Sequence, residues 1–123
     1  LHTVTVCDLE SSDFNCRATG VMGPAGRVFY VSPKSVYVWT TDWRYTKDRT
    51  QKRSTLYKMP LDGSAPSALG VSGSPVDQFS FLESNDGFLN VLVRSEGQGD
   101  GMWKAESTFG DVALMRISTN AFS

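Results

Sequence analysis

Residues 54–95 read "STLYKMPLDGSAPSALGVSGSPVDQFSFLESNDGFLNVLVRS", and this stretch decides the fold. "TLYKMP" mixes β-branched, aromatic and other apolar residues, which suits a pleated surface. "LDGSAP" then breaks it with turn residues, and "ALGVS" follows as a weaker strand of small residues, fit for an edge. "QFSFL" and "FLNVLVR" are two further strands joined by "ESNDG", a hairpin-turn composition. Nearly every position of "FLNVLV" is apolar, so both of its faces are expected to be covered.

Outward from this stretch the same grammar continues. Residues 1–9, "LHTVTVCDL", read as a strand, and residues 14–20 pair back on it. "VFYV" (28–31) and "SVYVWTTDW" (35–43) flank the tight turn Ser32-Pro33-Lys34-Ser35, in which Pro33 sets φ. "VALMRIS" (112–118) is the last strand. Two longer loops separate strands: residues 42–54, which are locally basic, and residues 95–111, which are glycine-rich. No stretch has the period of a long amphipathic helix, so the chain reads as all-β.

Two segments share a plan. "VFYVSPKSVYVWTT" and "QFSFLESNDGFLNVLV" each set two strands about a tight turn, a long loop follows each, and then come "LYKM" and "LMRI". The period is roughly 50 residues, near that of four-stranded propeller blades. The expected fold is therefore antiparallel four-stranded propeller blades within one β region, 1–123. Residues 1–24 end one blade, 25–75 form a full blade and 76–123 form most of a third. Closure of a propeller takes at least four blades, so the chain is read as part of a larger propeller. A small β-sandwich or barrel is the alternative. Alternating connections put the turns at Pro33 and Asp86 at one end and loops 42–54 and 95–111 at the other.

In residues 54–95 the chain also resembles the secreted bacterial β-propeller domain family, which is distantly WD40-like. The resemblance rests on Leu61-Asp62-Gly63, Gly73-Ser74-Pro75, Gln78-Phe79-Ser80 and Asp86-Gly87-Phe88-Leu89. The phrase "LYKMPLDG" is similar also to blades of TolB-type and prolyl-peptidase propellers. The resemblance implies a propeller and an extracytoplasmic address. It brings no catalytic residues.

Cysteine usage points to the same address. A hairpin turn centred between Ser11 and Ser12 sets Cys7 opposite Cys16, the only two cysteines. Cross-strand neighbours lie close enough for a disulfide. Two free buried thiols are the alternative. A disulfide would fit a secreted, periplasmic or cell-surface protein.

Function is less legible. Among 123 residues, 40% are hydrophobic, 20% are charged and the formal net charge is −1, so nothing calls for nucleic acid. No apolar run approaches the roughly 20 residues of a membrane span. The only histidine is His2, and no serine has a recognisable catalytic partner, so no catalytic residue and no cofactor or metal is expected. Glu83, Asn85 and Asp86 lack the spacing of a calcium loop and read as turn chemistry. The candidate ligand-binding residues are Trp43, Arg44 and Tyr45 in one long loop and Trp103 and Lys104 in the other, since aromatics and arginine suit recognition. The competing reading is one buried aromatic per loop with solvated neighbours. Asp77 and Gln78, at the start of an inner strand, either line a central pocket or cap the strand. The expectation is a binding module whose partners are the remainder of its parent chain, further copies of itself, or a protein or peptide ligand. The other expectation is a set of blades in a larger secreted enzyme, such as a peptidase, with its chemistry elsewhere.

Overall fold

The computed structural model describes residues 1–42, 54–94 and 112–122. They form ten strands and no helix. β1 (His2–Cys7) and β2 (Cys16–Val21) make a two-stranded hairpin. β3 (Arg27–Val31), β4 (Ser35–Thr41), β5 (Ser54–Pro60) and β6 (Ser67–Val71) make a four-stranded antiparallel sheet in chain order, with β6 at its edge. β7 (Ser74–Pro75), β8 (Phe81–Ser84), β9 (Phe88–Arg94) and β10 (Val112–Ser118) make the third sheet.

The three sheets stack face to face. β4 lies in the middle of the stack and all seven of its residues are buried. Its side chains alternate, as a strand requires. Tyr37 and Trp39 point toward the third sheet, where they meet Phe81, Leu89, Val91, Val93 and Ile117. Trp39 meets Phe81 edge-on at 6.4 Å, and Tyr30 stacks on Phe81 at 5.7 Å. Val36 and Val38 point the other way and pack with Met59 against Val4 and Val21 of the hairpin. At about 1.5–3 kcal/mol for each large side chain removed from water, these two seams hold the sheets together.

The third sheet departs from expectation in its inner strand. A strand is predicted at 78–82, but pairing with β9 is split between β7 and β8. Residues 76–80 step out between them as a turn. Asp77 explains the break: its carboxylate accepts from the Phe79 amide at 2.9 Å and from Ser80 Oγ at 2.9 Å, and its own amide donates to Ser80 Oγ at 3.0 Å. An Asx turn of this kind competes with the ladder for the backbone donors. The ladder is bridged across the gap by the Leu92 amide, which donates to the Ser80 carbonyl at 2.8 Å, and by the Val76 amide on the Leu92 carbonyl at 3.2 Å.

β9 departs too. Leu89, Val91 and Val93 are fully buried, whereas Leu92 is 41% exposed. Only one face of this apolar strand is covered.

Candidate functional site

The two ends of the stack differ. At one end lie the tight turns. Ser32 Oγ donates to the Ser35 carbonyl and accepts from the Lys34 and Ser35 amides, which closes the turn around Pro33. The β8–β9 turn uses Gly87 at φ +83°, a conformation glycine adopts freely. Asp86 is held there by Ser84 Oγ and by Arg116, 2.6 Å from Asp86 Oδ2, while the Arg116 guanidinium covers the Phe88 ring. The hydrogen bond from Ser84, with the Arg116 charge beside it, holds the Asp86 carboxyl below its usual range. In the same way Ser64 hydrogen bonds depress Asp62, with a smaller contribution from Arg17. The acidic turn is thus a hydrogen-bonded turn with its own arginine. Among the described residues no group of three or more His, Cys, Asp or Glu is placed to hold a metal ion.

At the other end the strand ends Thr41, Ser54, Arg94 and Val112 gather, and residues 43–53 and 95–111 between them lie outside the described residues. The connections 22–26 and 72–73 lie at this same end. The Thr41 amide donates to the Gly26 carbonyl at 3.3 Å, and Ser54 Oγ donates to the Gly73 carbonyl at 2.7 Å. A shallow depression of about 740 Å³ opens here, lined by residues 22–26, Thr41 and Asp42. His2 Nε2 donates to the Pro24 carbonyl at 2.8 Å and Tyr57 Oη to the Met22 carbonyl at 2.7 Å, so both neighbouring strands fix its wall. A Cβ on Gly23 would come within 3.3 Å of Tyr57 Oη, which accounts for glycine there.

Trp43, Arg44, Tyr45, Trp103 and Lys104 lie outside the described residues. Asp77 and Gln78 fall in the turn before β8, where Asp77 acts on the local backbone as described above. Within the seam, burial and then the nearby Glu83 carboxylate raise the Tyr37 phenol well above its ordinary pKa. It stays neutral at any physiological pH.

Two apolar surfaces are open. On the outer face of the third sheet, Leu92 and Leu114 sit directly opposite each other, with Leu82 and Val112 beside them, all exposed. On the hairpin side of β3, Phe29 and Val31 are half exposed, beyond the reach of the two-stranded hairpin. In a chain that carries only part of a propeller, the apolar strand from Phe88 to Val93 is the one expected from sequence to lack cover on its outer surface; that expectation does not reach Val112 and Leu114. The signal for Leu114 and Val112 was present in "VALMRIS": Ala113, Met115 and Ile117 alternate with them, so a strand with apolar residues on both sides needs two neighbours.

The stacked antiparallel sheets, one of them a complete four-stranded meander, define partial propeller blades. The family model described as Beta propeller domain matches residues 1–116, and the chain belongs to that family. No curated protein and no solved structure matches it. A propeller domain is an interaction or scaffold type of module. No helix among the described residues is long and apolar enough to cross a membrane.

Proposed function

We propose that this chain is a non-enzymatic interaction module of an extracytoplasmic β-propeller protein, and that the outer face of its third sheet seats a further blade. In this reading residues 1–24 end one blade, 25–75 form a whole one and 76–123 form most of the next. The single observation that carries it is the exposed cluster of Leu82, Leu92, Val112 and Leu114. Contiguous apolar surface of this kind marks an interface. The blade-on-blade seam already present shows the sort of surface that such a face accepts: an aromatic and aliphatic layer like that of Tyr37, Trp39 and Leu56. Phe29 and Val31 support the same reading at the opposite side of the stack, where inner strands of the first blade would lie. The disulfide between Cys7 and Cys16 supports an oxidising compartment. The end at which Thr41, Ser54, Arg94 and Val112 gather is the surface offered to a protein or peptide ligand, because connections on a rigid scaffold are free to vary.

Sedimentation equilibrium tests the seating face. The chain is expected to associate with rising concentration. A double variant, Leu92→Lys with Leu114→Glu, keeps a cross-strand pair of opposite charge and is expected to remain monomeric with an unchanged far-UV circular dichroism spectrum. A wild-type chain that stays a folded monomer at micromolar concentration would contradict the reading, as would a variant that associates like wild type. Restored monomer behaviour on adding a longer piece of the parent chain would identify the further blade as that chain's own rather than another copy.

A further inference from the structure

We propose that the Cys7–Cys16 disulfide is a thiol–disulfide exchange site, opened in the folded protein by a dithiol donor, and that its state governs how firmly the first hairpin is held. Both cysteines are exposed, at the open end of a sheet that has only two strands. They pair directly across the hairpin. Their edge borders a depression of about 300 Å³ lined by Val6, Cys7, Asp8, Asn15 and Arg17. An attacking thiol therefore has access and a place to sit. Exchange needs both access and a good leaving thiolate, and a neighbouring cation stabilises that thiolate. Arg17 lines the same depression as Cys7 and is the cation on that side, with its Nη2 donating to the Leu61 carbonyl. Asp8 lines the same depression and Asp62 lies close enough to Arg17 to feel its charge, so these anions oppose the arginine.

A thiolate of the donor attacks one cysteine sulfur, the S–S bond breaks, and its electron pair leaves on the other cysteine as a thiolate. The donor's second thiolate attacks the mixed disulfide and releases the first cysteine. Both cysteines take protons from solvent. The donor dithiol is oxidised to a disulfide and the protein disulfide is reduced to two thiols.

The fold survives this locally. The hairpin rests on the β3–β6 sheet through Val4 and Val21, through His2 on Pro24, and through Arg17, whose Nη2 donates to the Leu61 carbonyl at 2.6 Å. None of these contacts passes through sulfur. Beyond the disulfide, the only backbone bond closing the loop neck among the described residues is the Asp8 amide on the Asn15 carbonyl at 3.1 Å. Reduction would thus leave the Trp39–Phe81 seam intact. It would free the loop 8–15, and with it the end of β2 that aims Arg17 at Leu61. A two-stranded sheet is marginal alone, so this hairpin is the part of the molecule most sensitive to losing a constraint.

Dithiothreitol under native conditions is the probe, with thiol release read by alkylation and mass. The release rate is expected to rise linearly with dithiothreitol, with no plateau and no loss of the far-UV signal. Hydrogen exchange should quicken in residues 1–21 after reduction and stay slow in 35–41. Arg17→Gln should slow release several-fold and Asp8→Asn should quicken it. A rate that levels off at the unfolding rate, or falls in step with the folded signal, would overturn the proposal. So would unchanged exchange in the hairpin, or equal release rates in both variants and wild type.

Discussion

β4 and β9 hold the same position in their sheets, second in order after a tight turn, and both are rich in apolar residues. Yet β4 is buried on both faces, and β9 has one face buried and one open. The difference lies in what stands on either side. β4 has the hairpin behind it and the third sheet in front. Among the described residues β9 has only the middle sheet. An apolar residue such as Leu92 is thus written for a neighbour, and its burial depends on whether that neighbour is present.

The largest test of this comparison removes the centre of the covered seam. Trp39→Ala should destabilise the chain by about 3–5 kcal/mol, the usual range for deleting a buried large aromatic, read by urea unfolding. Next comes a pair on one strand. Leu89→Ala should cost about 2–5 kcal/mol because its side chain is fully buried. Leu92→Ala should stay within about 0.5 kcal/mol in dilute protein, as an exposed position does. Equal losses at the two positions would break the distinction between the faces.

A smaller effect separates the two turns. The turn before β9 requires φ +83° at Gly87, so Gly87→Ala should cost about 1 kcal/mol or more. The turn before β4 has no residue at positive φ, and Lys34→Ala there should cost much less. The smallest effect is electrostatic. Asp86 has its folded-state pKa lowered, so its contribution to stability is present above the unfolded carboxylate pKa of about 3.9. That contribution fades as pH falls through the lowered folded value. Asp86→Asn should therefore weaken the acid dependence of the unfolding midpoint. An acid limb unchanged by the substitution would show that the pairing with Ser84 and Arg116 adds nothing.

Much of this architecture was legible in the chain. Alternation and turn residues located β4, β5, β9 and β10, and symmetry about residues 11 and 12 set the Cys7–Cys16 register now seen. The split inner strand was not legible, because Phe79 and Phe81 both look like strand residues and only the hydrogen bonds of Asp77 decide that the ladder breaks. The coverage of β9 was legible only in part. Apolarity on two faces states a need for neighbours, and a single chain does not say how many of them it carries. Of the site, the gathering of the strand ends Thr41, Ser54, Arg94 and Val112 at one end was readable from the alternation of connections. The depression around residues 22–26 was not, since its wall depends on Tyr57 and His2 reaching backbone carbonyls distant in sequence.

In the proposed assembly the outer face of the third sheet is an interface, while the seam around Trp39 is already complete. Hydroxyl-radical footprinting measures this residue by residue, since it labels side chains according to their access to water. In dilute protein Leu92 and Leu114 should label and Tyr37 and Trp39 should not. On association the labels on Leu92 and Leu114 should fall together, with Tyr37 and Trp39 still silent. Labelling of Leu92 and Leu114 that persists in the associated state, or strong labelling of Trp39 in either state, would contradict the account.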